Sequence, residues 1–144
     1  MINATMTKFG WPGTRLAETN HWAVALRPQQ PVPGSLVVIC KEPVAAFSAV
    51  SAEGFAELGT VVAAVERMLS ETVAYERINW MMLMMVDPDV HFHVIPRAEA
   101  PRPLAGFATP DAGWPGPPAL GSFGEPDAAE AAAMIAALQA AWRL

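Results

Sequence analysis

The run from Asp87 to Arg97 constrains the fold of this 144-residue chain more than any other stretch of its sequence. Two of the three histidines, His91 and His93, lie in it, separated by an aromatic residue and flanked by valines. Because successive side chains of a β-strand point to opposite faces, Asp89, His91 and His93 are predicted to share one face. The other face is apolar and can pack on a core. The run therefore predicts a strand that carries a polar row of one carboxylate and two imidazoles.

The remaining hydrophobic pattern predicts an antiparallel sheet with one long helix packed on it. Segments typical of strands cover residues 14–19, 22–27, 35–41, 78–86 and 90–96. Between the third and the fourth, apolar residues follow helical spacing from Ser51, a good N-cap, to about residue 74. Gly59 weakens this helix, so we expect close packing against another element to require it. The order of these elements predicts an α+β fold with a five-stranded sheet.

The chain beyond residue 100 differs in composition from the part before it. Residues 101–126 are rich in Pro and Gly, and the sequence leaves open whether they form an ordered wrap or a mobile tail. Residues 126–143 are predicted to form a C-terminal helix with acidic residues in its first turns. We therefore expect a domain over residues 1–100, which begins with a loose arm over 1–13, and an extension over 101–144 that packs on the same domain.

The overall composition excludes several classes of function. A net charge of −5, with only nine Lys and Arg residues, argues against a nucleic-acid partner. A small phosphate-bearing ligand fits, because backbone N–H groups and imidazoles bind phosphate without a basic patch. The single cysteine, Cys40, excludes an internal disulfide and is predicted to be buried in its strand. No apolar run is long enough to span a bilayer and the N-terminus lacks an apolar leader, so a cytoplasmic protein without a membrane partner is expected.

The polar row resembles the signature of the histidine-triad family, in which histidines alternate with apolar residues and Ile-Pro-Arg commonly follows. The match is Asp89-Val90-His91-Phe92-His93-Val94-Ile95, with Asp89 in the place of the first histidine. Pro33-Gly34-Ser35 resembles the family's Pro-Gly-His, and Arg77-Ile78-Asn79-Trp80 resembles its strand before the motif. Together these similarities cover roughly residues 14–100. The family fold they imply agrees with the α+β architecture predicted from the pattern.

The resemblance implies a nucleotide hydrolase or nucleotidyl transferase. His91 would attack the α-phosphorus of a nucleoside-monophosphate conjugate, such as a dinucleoside polyphosphate or a phosphoramidate, and water would hydrolyse the nucleotidyl-histidine. The backbone carbonyl of Asp89 would hold the second ring nitrogen of His91. His93 would assist the leaving group or bind phosphate. His21 lies in a predicted turn, and we expect it to be solvated.

Three further side chains are candidate substrate ligands. The resemblance implies that Asn79 binds a phosphate or ribose oxygen, and Ser35 could offer its hydroxyl to phosphate. Arg97 could contact phosphate or face water at the end of its strand, and we favour the second interpretation. The resemblance also implies a homodimer formed through the main helix and the apolar strand before the motif, with the central strand of a monomer as the alternative. No protein-bound cofactor is implied, although Mg²⁺ could accompany a polyphosphate substrate.

Two alternatives concern Asp89. The first is a nucleotide-binding protein with little or no turnover, because the Asp89 carboxylate about 6 Å from a phosphate oxygen would repel it by roughly 1 to 3 kcal/mol. Ser35 and Met84-Met85-Val86, which stands in place of the family's Gly-Gln pair, favour the same alternative. The second is a zinc or iron site formed by Asp89, His91 and His93. Alternate Cα atoms of a strand lie about 6.7 Å apart and do not readily converge on one ion, so no metal site is predicted.

Overall fold

A computed structural model describes every residue from Met1 to Leu144 and contains one five-stranded antiparallel sheet. The strands follow the order β1-β2-β3-β5-β4 across the sheet. They are β1 (Arg15–Glu18), β2 (Trp22–Leu26), β3 (Leu36–Cys40), β4 (Arg77–Met81) and β5 (His91–Arg97). The helices are α1 (Ala4–Lys8), α2 (Ala52–Val73) and α3 (Ala128–Ala141), with a short 3-10 helix at Phe47–Ala49. The predicted α+β class and its five strands are confirmed.

The two faces of the sheet are covered by different parts of the chain. One face packs against α2 in the larger core, and the other packs against α1 and the residues that follow it. In the strand register, Val37 of β3 lies opposite His93 and Ile39 lies opposite His91. Paired residues of neighbouring strands share a face. Both histidines therefore lie on the face that the N-terminal segment covers.

The N-terminal residues form a helix, so the prediction of a loose arm over residues 1–13 is wrong. Asn3 is the N-cap of α1, where its side chain accepts a hydrogen bond from the Met6 N–H (2.9 Å). The Asn3 amide also donates to the carbonyl of Cys40 (2.8 Å), which ties the helix to β3. Met6, Phe9 and Trp11 are buried against the sheet. Capping and burial together order the segment.

The strand before the motif is shorter than predicted. It was expected to continue to residue 86, but β4 ends at Met81, which pairs with His93. The chain must then reverse direction to enter β5, and residues 82–90 form this irregular connection. Leu83, Met85 and Val86 are largely exposed there.

The long helix α2 begins as predicted, since the Ser51 hydroxyl accepts a hydrogen bond from the Gly54 N–H (2.9 Å). The expectation that Gly59 is required by close packing is wrong. Gly59 is exposed, and a Cβ atom placed there would meet no atom within 4 Å. Nothing in the fold therefore opposes a larger residue at this position.

Replacing Gly59 by alanine is expected to stabilise the protein by about 0.5–1 kcal/mol, because glycine is costly inside a helix. Urea unfolding of wild type and Gly59→Ala measures the difference. Gly34→Ala is the matched control and should be destabilising, because Gly34 has a φ of +91° and its Cβ would lie 3.3 Å from Pro96. A Gly59→Ala protein that unfolds at lower urea than wild type would contradict the prediction.

The Pro/Gly-rich stretch is an ordered wrap. Leu104 and Phe107 are buried in the same core as the sheet and α2, and Gln30 forms two backbone hydrogen bonds with Gly124 (2.9 and 3.0 Å). The predicted C-terminal helix is present as α3, and Met134 of α3 belongs to that core as well. The side chains and backbone of Asp127 and Glu130 form a capping box at its start.

Cys40 is fully buried, as predicted, and burial raises the pKa of its thiol. The free thiol therefore has little thiolate character and belongs to the core. None of the helices combines the length and apolar character that crossing a membrane would require.

Candidate active site

His91 is held in one orientation at the start of β5. Its Nδ1 lies 2.6 Å from the backbone carbonyl oxygen of Asp89, so this nitrogen carries a proton and donates it to the carbonyl. The side chain is almost completely buried. In the neutral ring, a proton on Nδ1 leaves the lone pair on Nε2. Nε2 is therefore the atom of this ring that can act as a nucleophile.

His93 lies beside His91, with ring centroids 5.2 Å apart and the rings nearly perpendicular at 79°. Its Nδ1 is buried and has no hydrogen-bond partner. Burial, followed by the positive charge of Arg27, lowers the pKa of His93 to about 4. The free protein therefore holds a neutral imidazole next to His91 at neutral pH.

The carboxylate of Asp89 is bound to the N-terminal helix. One of its oxygens accepts hydrogen bonds from the backbone N–H of Thr5 (3.1 Å) and from its hydroxyl (2.8 Å). Asp89 lies just before β5 begins, so its carbonyl orients His91 while its side chain fixes α1. This residue therefore connects the segment that covers the site to the strand that carries the histidines.

A cavity of about 240 Å³ opens beside the two histidines. The Phe9 ring packs against both of them, at 6.2 Å from His91 and 5.8 Å from His93 between centroids. Lys8 also lines the cavity and pairs with Asp87 (2.9 Å). Further lining comes from the connection before β5 and from the extension, at residues that include Met84, Val86 and Leu120.

Lys8, Phe9 and Arg27 also line this cavity and were not predicted as site residues from the sequence. Nothing in the sequence indicated that Lys8 and Phe9 reach the site, because the pattern of a five-residue helix is hard to distinguish from that of a coil. For Arg27 the sequence does contain a signal. Arg27 directly follows the apolar strand Trp22–Leu26 and lies two residues after Ala25, so the alternation of a strand places both side chains on one face.

Ser35 does not reach the cavity. It is completely buried, and its hydroxyl donates to the carbonyl of Val32 (2.7 Å) and accepts from the Val32 N–H (3.3 Å). These bonds close the turn before β3. The expectation that Ser35 offers its hydroxyl to phosphate is therefore corrected to a role in the turn.

Asn79 and Arg97 lie further along the histidine face and also do not line the cavity. Arg97 donates to Asp111 through Nε (2.7 Å) and Nη2 (3.0 Å), and to the carbonyl of Gly116 (2.6 Å). Its Nη1 also donates to Asn79 Oδ1 (3.1 Å). Arg97 is buried, so the interpretation that it faces water is wrong. Arg97 therefore holds the Pro/Gly-rich wrap against the sheet, and Asn79 accepts one hydrogen bond from its guanidinium.

His21 pairs with Glu57 instead of being merely solvated. It lies outside the lining of the cavity. The structure places no group of three or more His, Cys, Asp or Glu side chains where they could hold a metal ion. Asp89, His91 and His93, which were considered for a zinc or iron site, do not form such a group.

Comparison with solved structures places this architecture in a known class. A histidine-triad protein from Bradyrhizobium japonicum superposes with a TM-score of 0.77 and 19% identity, over 99% of this chain and 98% of that one. A histidine-triad protein from Sinorhizobium meliloti superposes with a TM-score of 0.77 and 18% identity, over 97% of this chain and 95% of that one. A third structure, from Sulfolobus tokodaii, is described as a hypothetical histidine triad nucleotide-binding protein. It superposes with a TM-score of 0.73 and 17% identity, over 95% of this chain and 88% of that one.

The chain therefore has the fold of the histidine-triad proteins. No protein-family model matches its sequence, and no curated protein matches it. The structural likeness extends over nearly the whole chain, including the wrap and α3, whereas the sequence similarities cover only roughly residues 14–100.

Proposed function

We propose that the protein is a nucleotide hydrolase or nucleotidyl transferase that acts on conjugates of a nucleoside monophosphate. The observation that carries this proposal is the hydrogen bond from His91 Nδ1 to the carbonyl of Asp89, which leaves Nε2 available beside a cavity. The histidine-triad fold supports a nucleotide as the ligand, since one protein with that fold is described as nucleotide-binding.

The reaction would proceed by two displacements at phosphorus. His91 Nε2 attacks the α-phosphorus of the conjugate, and the bond from phosphorus to the leaving group breaks as the new P–N bond forms. The leaving group departs with the electron pair. Water then attacks the same phosphorus and loses a proton to the solvent, the electron pair of the P–N bond returns to His91 Nε2, and free nucleoside monophosphate is released. In a transferase, another nucleophile takes the place of this water.

The protonation state of His93 would change when the substrate binds. In the free protein its pKa of about 4 keeps it neutral. An anionic phosphate next to the ring favours the protonated form and raises this pKa. His93 would then take up a proton on binding and could donate it to the leaving group.

Asp89 would act as a positioning residue. Its carbonyl orients His91, and its carboxylate holds Thr5 and thereby α1, which leads into Phe9. The two hydrogen bonds from Thr5 partly offset the carboxylate charge, which lessens its repulsion of a phosphate. An aspartate at the first triad position is therefore compatible with nucleophilic attack by His91.

The second candidate function is a nucleotide-binding protein with little turnover. The structure favours it in one respect, since the Ser35 hydroxyl and the Asn79 amide do not line the cavity where phosphate oxygens would need donors. In this case a nucleotide would bind without forming a covalent adduct.

We further propose that the protein is a homodimer. β4 is an edge strand of the sheet, and the segment after it exposes Leu83, Met85 and Val86. An exposed edge next to apolar side chains is a surface on which a second copy can pair.

We propose no protein-bound cofactor, and Mg²⁺ would enter only with a polyphosphate substrate.

Intact-mass spectrometry tests the proposed reaction. After brief incubation with adenosine phosphoramidate or diadenosine triphosphate, the wild-type protein should gain the mass of one adenylate, and His91→Ala should gain none. Native spectra of the same sample would report the number of copies in the assembly.

His21→Ala is the matched control, because it removes a histidine outside the cavity and should still form the adduct. An adduct that persists in His91→Ala would refute the assignment of the nucleophile. Saturable nucleotide binding with neither adduct nor free adenylate would favour the second candidate function.

A further inference from the structure

Arg27 is a nearly buried cation without a carboxylate partner. It is 8% exposed, and none of the six ion pairs of the structure includes it. Its Nη1 donates to the carbonyl of Gln29 (2.7 Å), whereas its buried Nε–H has no acceptor. An unpaired charge and an unsatisfied donor are both costly in a protein interior, and such groups are rare without a reason.

The position of Arg27 supplies a reason. Ala25 of β2 pairs with Val37, and Val37 pairs with His93, so these three residues share the histidine face. Arg27 follows Ala25 by two residues and extends the same row. It lines the cavity together with both histidines, and it also lines a second cavity of about 360 Å³ next to the first.

The charges around the cavity leave one positive charge uncompensated. Lys8 pairs with Asp87, so these two largely cancel. Glu125 lines only the second cavity and forms no ion pair with Arg27. His93 is neutral, and the positive charge of Arg27 contributes to keeping its pKa near 4. An anion that enters this cavity therefore meets Arg27 as the main unpaired cation.

We propose that Arg27 binds a second phosphate group of the substrate, in addition to the phosphate that reacts at His91. The proposal rests on the proposed function and narrows its substrate class to conjugates with at least two linked phosphates, in preference to phosphoramidates. The planar guanidinium suits this task, since its forked N–H groups match two phosphate oxygens. Its free Nε–H then gains the acceptor that the protein does not provide.

Calorimetric titration with AMP, ADP and inorganic pyrophosphate tests the subsite. Wild-type protein should bind ADP at least about 10-fold more tightly than AMP, because one charge-assisted hydrogen bond contributes enough binding free energy for a change in affinity of this size. Arg27→Gln should abolish that difference and weaken pyrophosphate binding by a similar factor. Arg15→Gln, the same substitution at an exposed arginine outside both cavities, should bind like wild type.

The outcomes separate this inference from the proposed function. If pyrophosphate binds to wild type but not to Arg27→Gln, the phosphate subsite stands even where no adenylate adduct forms. If ADP and AMP bind equally to wild type, or if Arg27→Gln leaves their difference intact, the inference is overturned.

A measurement on the unmodified protein covers the case in which Arg27→Gln does not fold. The NMR signal of the Arg27 Nε–H should shift on addition of pyrophosphate, because this donor gains a partner. The spectrum of Arg27→Lys assigns this signal, because lysine keeps the positive charge but has no guanidinium, so the Nε–H signal of Arg27 is absent from it. A signal that does not move at saturating pyrophosphate would also overturn the inference.

Discussion

Asp111→Ala is expected to lower the free energy of unfolding by about 3–5 kcal/mol, because it leaves a buried arginine without its counter-charge. The side chains of Arg97 and Asp111 are only 6% and 4% exposed, and two N–H groups of the guanidinium donate to the two carboxylate oxygens. Equilibrium unfolding in urea measures the change. The effect is large because the remaining guanidinium is buried and two of its N–H groups lose their acceptors.

Two controls distinguish this ion pair from an ordinary surface pair. Glu71→Ala removes the partner of Arg143 in a pair whose side chains are 43% and 56% exposed, and it should change stability little. The double variant Arg97→Met, Asp111→Leu removes both charges and should recover much of the stability that Asp111→Ala loses. If Asp111→Ala unfolded at the same urea concentration as Glu71→Ala, the ion pair would not hold the wrap.

Acidification is expected to cost the protein about 3 kcal/mol through His93 alone, from a pKa of 6.5 in the unfolded chain and about 4 in the fold. Because the folded pKa is the lower one, the unfolded chain takes up the proton first as the pH falls. The contribution of His93 is therefore complete above about pH 6.5 and is lost progressively as the pH falls towards 4.

Urea unfolding of wild type and His93→Gln at a series of pH values measures this contribution. The stability of His93→Gln should depend less on pH between 6.5 and 4, since glutamine does not titrate. An NMR titration of the His93 ring in wild type should give a midpoint near 4. Parallel stability curves for the two proteins would show that His93 is not held neutral by the fold.

Local patterns predicted the sheet, α2 and the histidine strand, because each depends on the alternation or spacing of apolar residues within one segment. The cap at Ser51 and the capping box at Asp127 are local in the same sense. The resemblance of residues 89–95 to a family motif then indicated which strand holds the candidate site.

The surroundings of the histidines depend on contacts between residues distant in sequence, and no local pattern predicts those. Thr5 meets Asp89 across 84 residues, and Asn79 is 18 residues from Arg97. The sequence shows an arginine at the end of an apolar strand, but not that the fold leaves Arg27 without a carboxylate. For the same reason the motif offered Ser35, Asn79 and Arg97 as candidate ligands, whereas in the fold Ser35 closes a turn, Arg97 binds the wrap and Asn79 accepts a hydrogen bond from Arg97.

Most of the lining of the cavity comes from segments that do not belong to the strands of the sheet. Phe9 comes from the N-terminal segment, Met84 and Val86 from the connection before β5, and Leu120 from the wrap. The two histidines lie on β5, and of these segments only the connection before β5 helps to orient them, through the carbonyl of Asp89. The strand that carries the histidines and most of the segments that line the cavity can therefore change separately. Substitutions in the N-terminal segment or the wrap, in descendants or designed versions of this chain, would change the shape of the cavity while β5 stays unchanged.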